Sequence, residues 1–420
     1  MKGTPVLDAL AGAGIRLGLA RMRDFLASLG NPETAYPVLH VGGTNGKGSV
    51  ARLLGASLQA SGRSVGVHTS PHLQDINERV LLNGEPIGDE ALLALITRID
   101  AARRTWARAA LPPDEAFPLT YFEFTVACAL QAFADAKVDT AVIEVGMGGR
   151  LDATNVVIPK VAAIVTIGLD HCDELGRDHA SIAGEKAGII KAGVPIVVGP
   201  LPAAALQVIR SVAHERGAPL SVWGEDFEAF GSTSSFRYAG RHALEGLTLG
   251  LLGDHQVINA GVALRILELS ALDIGERALR AGLAAARNPG RLEWLAPDVL
   301  VDGAHNPAGA TTLANYLASL PRDRRRTLVL GGGTDKDLRG VAATLAPAVD
   351  RVFTTAGGHV KARSPFQVAG ECEGLAISVT PAGPLAEALA AARASGDLVI
   401  VAGSLYLVGE VRDLLGVAPG

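Results

Sequence analysis

The sequence predicts an α/β protein of two domains, each built on a mainly parallel sheet, with a small antiparallel β appendage on the first. Three observations carry this. Strand-length apolar runs alternate with helix-period segments from Tyr36 to about Pro200, and again beyond Asp298, as in sheets covered on both faces. A chain of 420 residues exceeds the usual ceiling for a single core. Apolar residues make up 48% and charged residues 19%, a balance that suits a well-buried α/β enzyme and excludes disorder.

The first elements set the theme. "YPVLHV" (Tyr36–Val41) is a β-branched-rich run that reads as a buried strand. "SVARLLGASLQASG" has helical spacing, with Val50, Leu53, Leu54 and Leu58 on one face and Gly62 to end it. "SVGVHTS" reads as the next strand. Between the first strand and the helix stands "VGGTNGKGSV" (Val41–Val50). It departs twice from Gly-x4-Gly-Lys-[Ser/Thr]: Val41 replaces the first glycine, and Gly48 separates Lys47 from Ser49. Even so, strand, glycine loop, helix and strand form the unit that aims backbone N–H groups and a helix N-terminus at a phosphate. Lys47 would add a point charge, and Thr44 or Ser49 a hydroxyl for a metal. A glycine-rich turn with a solvated lysine is the competing reading. Four glycines, a lysine and two hydroxyls at one junction favour a P-loop NTPase-like domain.

Further buried strands are expected in "VDTAVIEVG", "KVAAIVTIG" and "VPIVVGP". From about Leu220 to Leu252 the texture changes to short alternating segments such as "SFRYAG" and "LTLGLL", the expected antiparallel appendage. "HQVINAGVALRILELS" returns to a helix, and "ARNPGRLEWLAPD" (Ala286–Asp298), with two prolines and a glycine, is the expected linker. Then "DVLVDGAHN", "RTLVLGGG", "RVFTTAGG", "AISVT" and "DLVIVAG" alternate with alanine-rich helices, a smaller Rossmann-like α/β domain. The expected division is residues 1–290 and 291–420.

Charge and cysteines narrow the class. A net charge of −5 and a pI near 6.1 give no general affinity for nucleic acid or an anionic membrane. Any anionic ligand must meet a local cluster. Cys128, Cys172 and Cys372 are scattered without a CxxC, which fits a reducing cytosol. Asp8 and Arg16 interrupt the N-terminal apolar stretch, so no signal-peptide core is expected. No run approaches the roughly 20 apolar residues of a membrane span. A cytoplasmic protein is the expectation.

A phosphate loop needs a metal. Glu144 ends the run "TAVIE", from which a strand-end carboxylate reaches Mg2+. His171 follows "AAIVTIGLD", and Ser70 ends the strand after the loop helix. Ser, Glu and His at three strand ends would share the carboxyl edge of one sheet, where ligands of open α/β folds bind.

"GTNGKGS", "TSPHL", "EVGMGGRLDATN", "DHCDELG", "EKAGIIK", "GDHQVINA" and "DGAHNP" stand in an order and spacing that resembles the folylpolyglutamate synthase and dihydrofolate synthase family of the Mur ligase superfamily. The resemblance runs from about Arg16 to the C-terminus, and that family's loop also places a glycine between lysine and hydroxyl. It implies ATP-dependent joining of L-glutamate to dihydropteroate or a reduced folate through an acyl phosphate, with ATP as co-substrate and Mg2+ as metal. Residues 1–290 would bind ATP and folate, residues 291–420 would form the ligase C-terminal domain, and a monomer is expected.

The resemblance also implies roles. Gly43, Thr44, Asn45, Gly46, Lys47, Gly48 and Ser49 would hold the triphosphate. Ser49 would bind one Mg2+; Ser70, Glu144 and His171 would bind another. Asn259, Arg291, Asp302 and His305 would contact the nucleotide. Thr120, Tyr121, Phe122 and Glu123, with Leu151, Asp152 and Ala153, would form the pterin site. Lys336 and Ser404 would serve glutamate, and "GIRLGLARM" (14–22) would lie near substrate. Lys186, fifteen positions after His171, corresponds to the family's carbamylated lysine, so Lys47, Glu144, His171 and Lys186 are the catalytic candidates. A linker salt bridge is the alternative for Arg291, a helix cap for Asp302. At the level of the whole chain, one alternative is a Mur-type ligase acting on a UDP-linked peptidoglycan precursor. Another is a nucleotide-switch module, which would need an NKxD motif that the sequence lacks.

Overall fold

The computed structural model describes residues 4–12, 14, 16–110, 119–359 and 361–420; Ile15 of the segment 14–22 lies outside them. The chain divides into two units. The first runs to Pro71 and includes Asp75–Gly250 and Gln256–Arg287; the second holds His72–Gln74, Leu251–His255 and Asn288–Gly420.

In the first unit, β1 (Val38–Gly42), β2 (Val65–His68), β3 (Leu81–Leu82), β4 (Glu85–Pro86), β5 (Thr140–Glu144), β6 (Val161–Ile164), β7 (Ile196–Val198) and β8 (Leu220–Val222) form one sheet. Its order is β4-β3-β2-β5-β1-β6-β7-β8. From β2 to β8 every pairing is parallel, while β3 and β4 add an antiparallel edge. The central strands are mostly apolar because both faces are covered, with His40 and His68 among the buried polar exceptions. One face packs on two cores, one that includes Phe124, Phe133 and Ile143 and one that includes Ile164, Ile182 and Ile196, while the helix Lys47–Ala60 covers the other face, with Gly55 against Val67. Each such side chain contributes about 1.5–3 kcal/mol by leaving water. The chain leaves β1 for β2 on one side and later builds β6 on the other, so the loop after β1 opens at the switch point.

The appendage is a three-stranded antiparallel sheet of β9 (Glu228–Ser232), β10 (Ser235–Ala239) and β11 (Leu244–Leu247). Two expectations need correcting. Leu220–Val222 is the parallel edge of the large sheet, because its short run pairs with β7 before the alternation begins. "LTLGLL" contributes only Leu247 to a strand.

The second unit holds β12 (Glu293–Ala296), β13 (Val299–Val301), β14 (Arg326–Leu330), β15 (Arg351–Ala356), β16 (Ser378–Pro384) and β17 (Leu398–Ala402). The order is β12-β13-β17-β14-β15-β16, parallel except for β12. The second half of the expected linker is therefore strand β12, folded back on β13; its apolar pair Trp294 and Leu295 outweighs the flanking prolines. No helix among the described residues is long and apolar enough to cross a membrane.

Candidate active site

The loop after β1 is built by its neighbours. Gly46 caps the helix Lys47–Ala60 in the left-handed region, and Gly43 also has a positive φ. A Cβ at Gly46 would stand 2.6 Å from Asn259 Oδ1 and 2.8 Å from Val165 Cγ1; one at Gly43 would stand 3.1 Å from the Thr166 nitrogen. Only glycine meets both the φ and the space. The Thr44 nitrogen donates to the Thr166 carbonyl at 2.8 Å, and the Asn45 nitrogen to Thr166 Oγ1 at 2.9 Å. Thr44 Oγ1 and the Gly168 nitrogen close the clamp at 3.0 Å. The loop is thus stitched to the extension of β6, which runs directly into Asp170 and His171.

Around this loop several of the expected residues stand on neighbouring strand ends. Glu144 pairs in register with Val41 on β1. Its Oε2 accepts the Ser70 nitrogen at 3.1 Å, so the ends of β5 and β2 meet there. Ser49 is buried in the first turn of the loop helix. His171 holds φ 50° at the start of the turn Cys172–Leu175, with Nε2 3.9 Å from Asp170 Oδ1. Left-handed backbone at a bulky side chain is strain of the kind that concentrates at working sites. Asn259 is buried, donates to Gln256 Oε1 at 2.8 Å, and turns its Oδ1 to Gly46.

Two lysines meet at one carbonyl. Lys47 Nζ donates to the Gly43 oxygen at 2.9 Å and to the Thr44 oxygen at 3.1 Å; Lys186 Nζ reaches the same Gly43 oxygen at 3.0 Å. Lys186 is buried, and burial first, then the Lys47 charge, push its pKa down to about 7. Asp170 and Asp152 oppose the shift.

The residues present fit a divalent ion. Among the described residues no three His, Cys, Asp or Glu gather to hold a metal alone. One carboxylate, one imidazole and hydroxyls suit Mg2+ or Mn2+, which complete their shells with water and phosphate oxygens.

On the acceptor side, Thr120 and Glu123 form the capping box of the helix Tyr121–Asp135, and Glu123 also pairs with Arg21 at 3.0 Å. Tyr121 lies under the Arg79 guanidinium, 5.5 Å from ring centroid to Cζ. The Phe122 ring edge packs over Gly146, where a Cβ would stand 2.4 Å from Cζ. Asp152 is buried and accepts Met147 N at 2.8 Å, Thr154 N at 3.0 Å and Thr154 Oγ1 at 2.5 Å. Burial raises its pKa against those bonds. Leu151 is half-buried and Ala153 buried on either side.

In the second unit, Asp302 is buried and accepts Leu292 N and Ala304 N, both at 2.8 Å. Burial raises its pKa, and the nearby Arg291 charge opposes this. A Cβ at Gly303 would lie 3.1 Å from an Arg291 guanidinium nitrogen, and His305 Nδ1 stands 2.8 Å from the Gly303 oxygen. Arg291, Asp302 and His305 are therefore one cluster. Lys336 lies 3.7 Å from Asp335, and Ser404 starts the helix Leu405–Leu414 with no side-chain cap bond.

Residues 119–267 match the Mur ligase middle domain, and residues 290–405 the Mur ligase, glutamate ligase domain. The chain is 35% identical to the dihydrofolate synthase/folylpolyglutamate synthase of Bacillus subtilis, over 96% of each chain. The chain belongs to the folylpolyglutamate and dihydrofolate synthase family of Mur ligases.

Solved structures of the family agree with the fold. Escherichia coli FolC in complex with DHPP and ADP is 35% identical, covers 99% of this chain and 98% of its own, and has a TM-score of 0.89. A bifunctional folylpolyglutamate synthase/dihydrofolate synthase with Mn, AMPPNP and L-glutamate bound is 34% identical, covers 99% and 98%, and has a TM-score of 0.87. The protein is thus an ATP-dependent ligase, and a UDP-linked acceptor is not favoured.

Three polar groups escaped the sequence reading: Thr166, which clamps the loop, and the buried His40 and His68 on β1 and β2. The signal was present, since a histidine inside "VLHVG" or "VGVH" breaks an otherwise apolar strand.

Proposed function

We propose that this protein joins L-glutamate to dihydropteroate and to reduced folates, converting ATP to ADP and phosphate, as a cytoplasmic monomer. The observation that carries the reading is the glycine loop at the sheet's switch point, with Lys47, Ser49, Glu144, Ser70 and Lys186 drawn around it. The names of its relatives supply the acceptor class.

The difficulty of the reaction is that an acceptor carboxylate must attack the γ-phosphoryl group, anion on anion. Lys47, the N–H groups of residues 43–49 and the positive end of the loop helix receive the phosphates. Ser49, Ser70, Glu144 and His171 would hold divalent ions, which supply charge neutralisation across the phosphates. Attack by the carboxylate gives an acyl phosphate and ADP. The glutamate amine then attacks the acyl carbon, and phosphate leaves with one former carboxylate oxygen. Positioning and charge do the work, and no covalent enzyme intermediate is required.

Lys186 has a part of its own. Near neutral pH a large share of its amine is uncharged, and a neutral amine adds CO2 to become a carbamate. That would exchange a cation beside Lys47 for an anion able to orient metal ligands. Asn259 would meet the nucleotide beside Gly46. Arg291, Asp302 and His305 would serve the nucleotide, and Lys336 and Ser404 glutamate. Residues Thr120–Glu123 and Leu151–Ala153 would border the pterin.

The test is product analysis with ATP, Mg2+ and L-glutamate, giving dihydropteroate and a reduced folate separately. We expect one ADP per amide bond with each acceptor. ATP turnover without an amide product would sink the reading.

A further inference from the structure

Beneath the acceptor turn runs a buried hydrogen-bond chain that the roles above leave unused. His40 sits in the middle of β1, on the sheet face that packs with the helix Tyr121–Asp135; its partner in register, Ile143, belongs to the core shared with Phe124 and Phe133. His40 Nε2 lies 3.0 Å from Thr154 Oγ1. Thr154 Oγ1 in turn donates to Asp152 Oδ1 at 2.5 Å, and Asp152 Oδ2 accepts the Met147 nitrogen at 2.8 Å. The chain therefore runs from the strand that feeds the phosphate loop to the turn 146–156.

The proton count orders this chain. A threonine hydroxyl has one hydrogen, and Thr154 gives it to Asp152. The remaining contact must then be donated by His40, which places the imidazole proton on Nε2 and leaves Nδ1 bare. Nδ1 finds no hydrogen-bond partner among the described residues. Burial, with smaller contributions from Lys191 and His68, pushes the His40 pKa down to about 3. The ring is a neutral donor across the working range of pH. A buried imidazole with one nitrogen unmet costs stability that an apolar residue would not. What it contributes is direction, since a donor on one lone pair of Thr154 turns the hydroxyl proton toward Asp152.

The carboxylate so held lies against the acceptor candidates. A Cβ at Gly146 would stand 3.0 Å from Asp152 Oδ2 and 2.4 Å from Phe122 Cζ, so the carboxylate and the ring edge converge on one glycine. We propose that His40 is a positioning residue for the pteroyl acceptor, acting through Thr154 to fix Asp152 and its turn against the strand that carries the phosphate loop. The inference rests on the assignment of Phe122 and Leu151–Ala153 to the acceptor.

The experiment is steady-state kinetics of the full chain with dihydropteroate, ATP and L-glutamate. The variants are His40→Leu, His40→Gln, Thr154→Val and Thr154→Ser, with melting temperatures alongside. His40→Leu and Thr154→Val should raise the KM for dihydropteroate about tenfold or more and leave the KM for ATP within about twofold. The double variant should be no worse than the weaker single one, because both cut the same chain. Glutamine, whose Nε2 donates, and serine should return the KM to within about threefold of wild type. If His40→Leu does not fold, the Thr154→Val and Thr154→Ser pair decides alone. An unchanged dihydropteroate KM overturns the inference. So does a joint rise of both KM values with a lower melting temperature that Gln or Ser does not repair. Failure of the activity itself is distinguishable, since wild type would then form no amide from dihydropteroate.

Discussion

Two glycine-rich turns stand side by side at the carboxyl edge of the large sheet, one after β1 and one after β5, and they are held in opposite ways. The phosphate loop is gripped from outside: the backbone and hydroxyl of Thr166 receive the Thr44 and Asn45 nitrogens, and Gly168 binds Thr44 Oγ1. The turn 146–156 is gripped from within, where the Asp152 carboxylate takes Met147 N, Thr154 N and Thr154 Oγ1. In the first turn the shape rests mainly on Thr166 and Gly168, and Lys47 adds bonds to the Gly43 and Thr44 carbonyls besides its charge. In the second, one carboxylate carries both shape and chemistry. A charged side chain of the first can be removed while its turn survives, whereas changing Asp152 rebuilds its turn.

The largest separation should come from Lys47→Ala. We expect ligation to fall on the order of 100- to 1,000-fold or more, the scale for loss of one hydrogen-bond donor to a developing anion, with little change in melting temperature. A variant that loses activity only by unfolding would erase the contrast between the turns. Asp152→Ala should fail in both respects. Each donor left unsatisfied costs about 1–3 kcal/mol, so chemical denaturation should show a large stability loss together with a raised dihydropteroate KM. Normal stability in that variant would mean that the turn is held by something else.

Lys186 sharpens the comparison through pH. Its folded pKa, about 7, lies below its ordinary 10.5. Between those values the unfolded chain binds a proton that the folded chain does not, so this group makes stability rise with pH across that window. Below about 7 both states are protonated and the penalty is full. Lys186→Met should therefore be more stable than wild type at pH 6, with the gap closing toward pH 10. The same variant should ligate poorly at every pH, and bicarbonate should raise wild-type activity after CO2 removal while leaving the variant unchanged. Equal pH dependence of stability in both proteins would contradict the buried ammonium.

The smallest effect belongs to Thr120→Ala. Thr120 caps the helix Tyr121–Asp135, and losing such a cap costs about 1 kcal/mol. Urea unfolding should read that loss while the KM for ATP stays near wild type. A selective rise in acceptor KM would make Thr120 a pterin contact as well as a cap, and an unchanged one would leave it the cap alone.

The sequence made the sheets and the phosphate loop legible because both rest on local signals. "YPVLHV" and "TAVIE" are short runs rich in apolar residues, and Gly43, Gly46, Lys47 and Ser49 lie within one short segment. β8 and β12 were less visible. Leu220–Val222 joins the large sheet through a partner more than twenty residues away, and Glu293–Ala296 pairs only after a turn at Pro297–Asp298. The convergence of Ser70 on Glu144 could be expected from strand ends. The shared Gly43 carbonyl of Lys47 and Lys186 could not, since 143 positions separate the two partners Gly43 and Lys186. Asp152 is a substrate-site candidate by sequence, and its bonds to Met147 and Thr154 give it a structural duty that no motif spells out.

The route through an acyl phosphate is the centre of the account, and isotope transfer tests it most directly. Dihydropteroate carrying heavy oxygen in its carboxylate would be turned over with ATP, Mg2+ and L-glutamate, and the released phosphate examined by mass. Attack of the carboxylate on the γ-phosphoryl group requires one labelled oxygen in each phosphate formed. Unlabelled phosphate alongside labelled amide product would contradict that route and the placement of the acceptor carboxylate at the Lys47 loop.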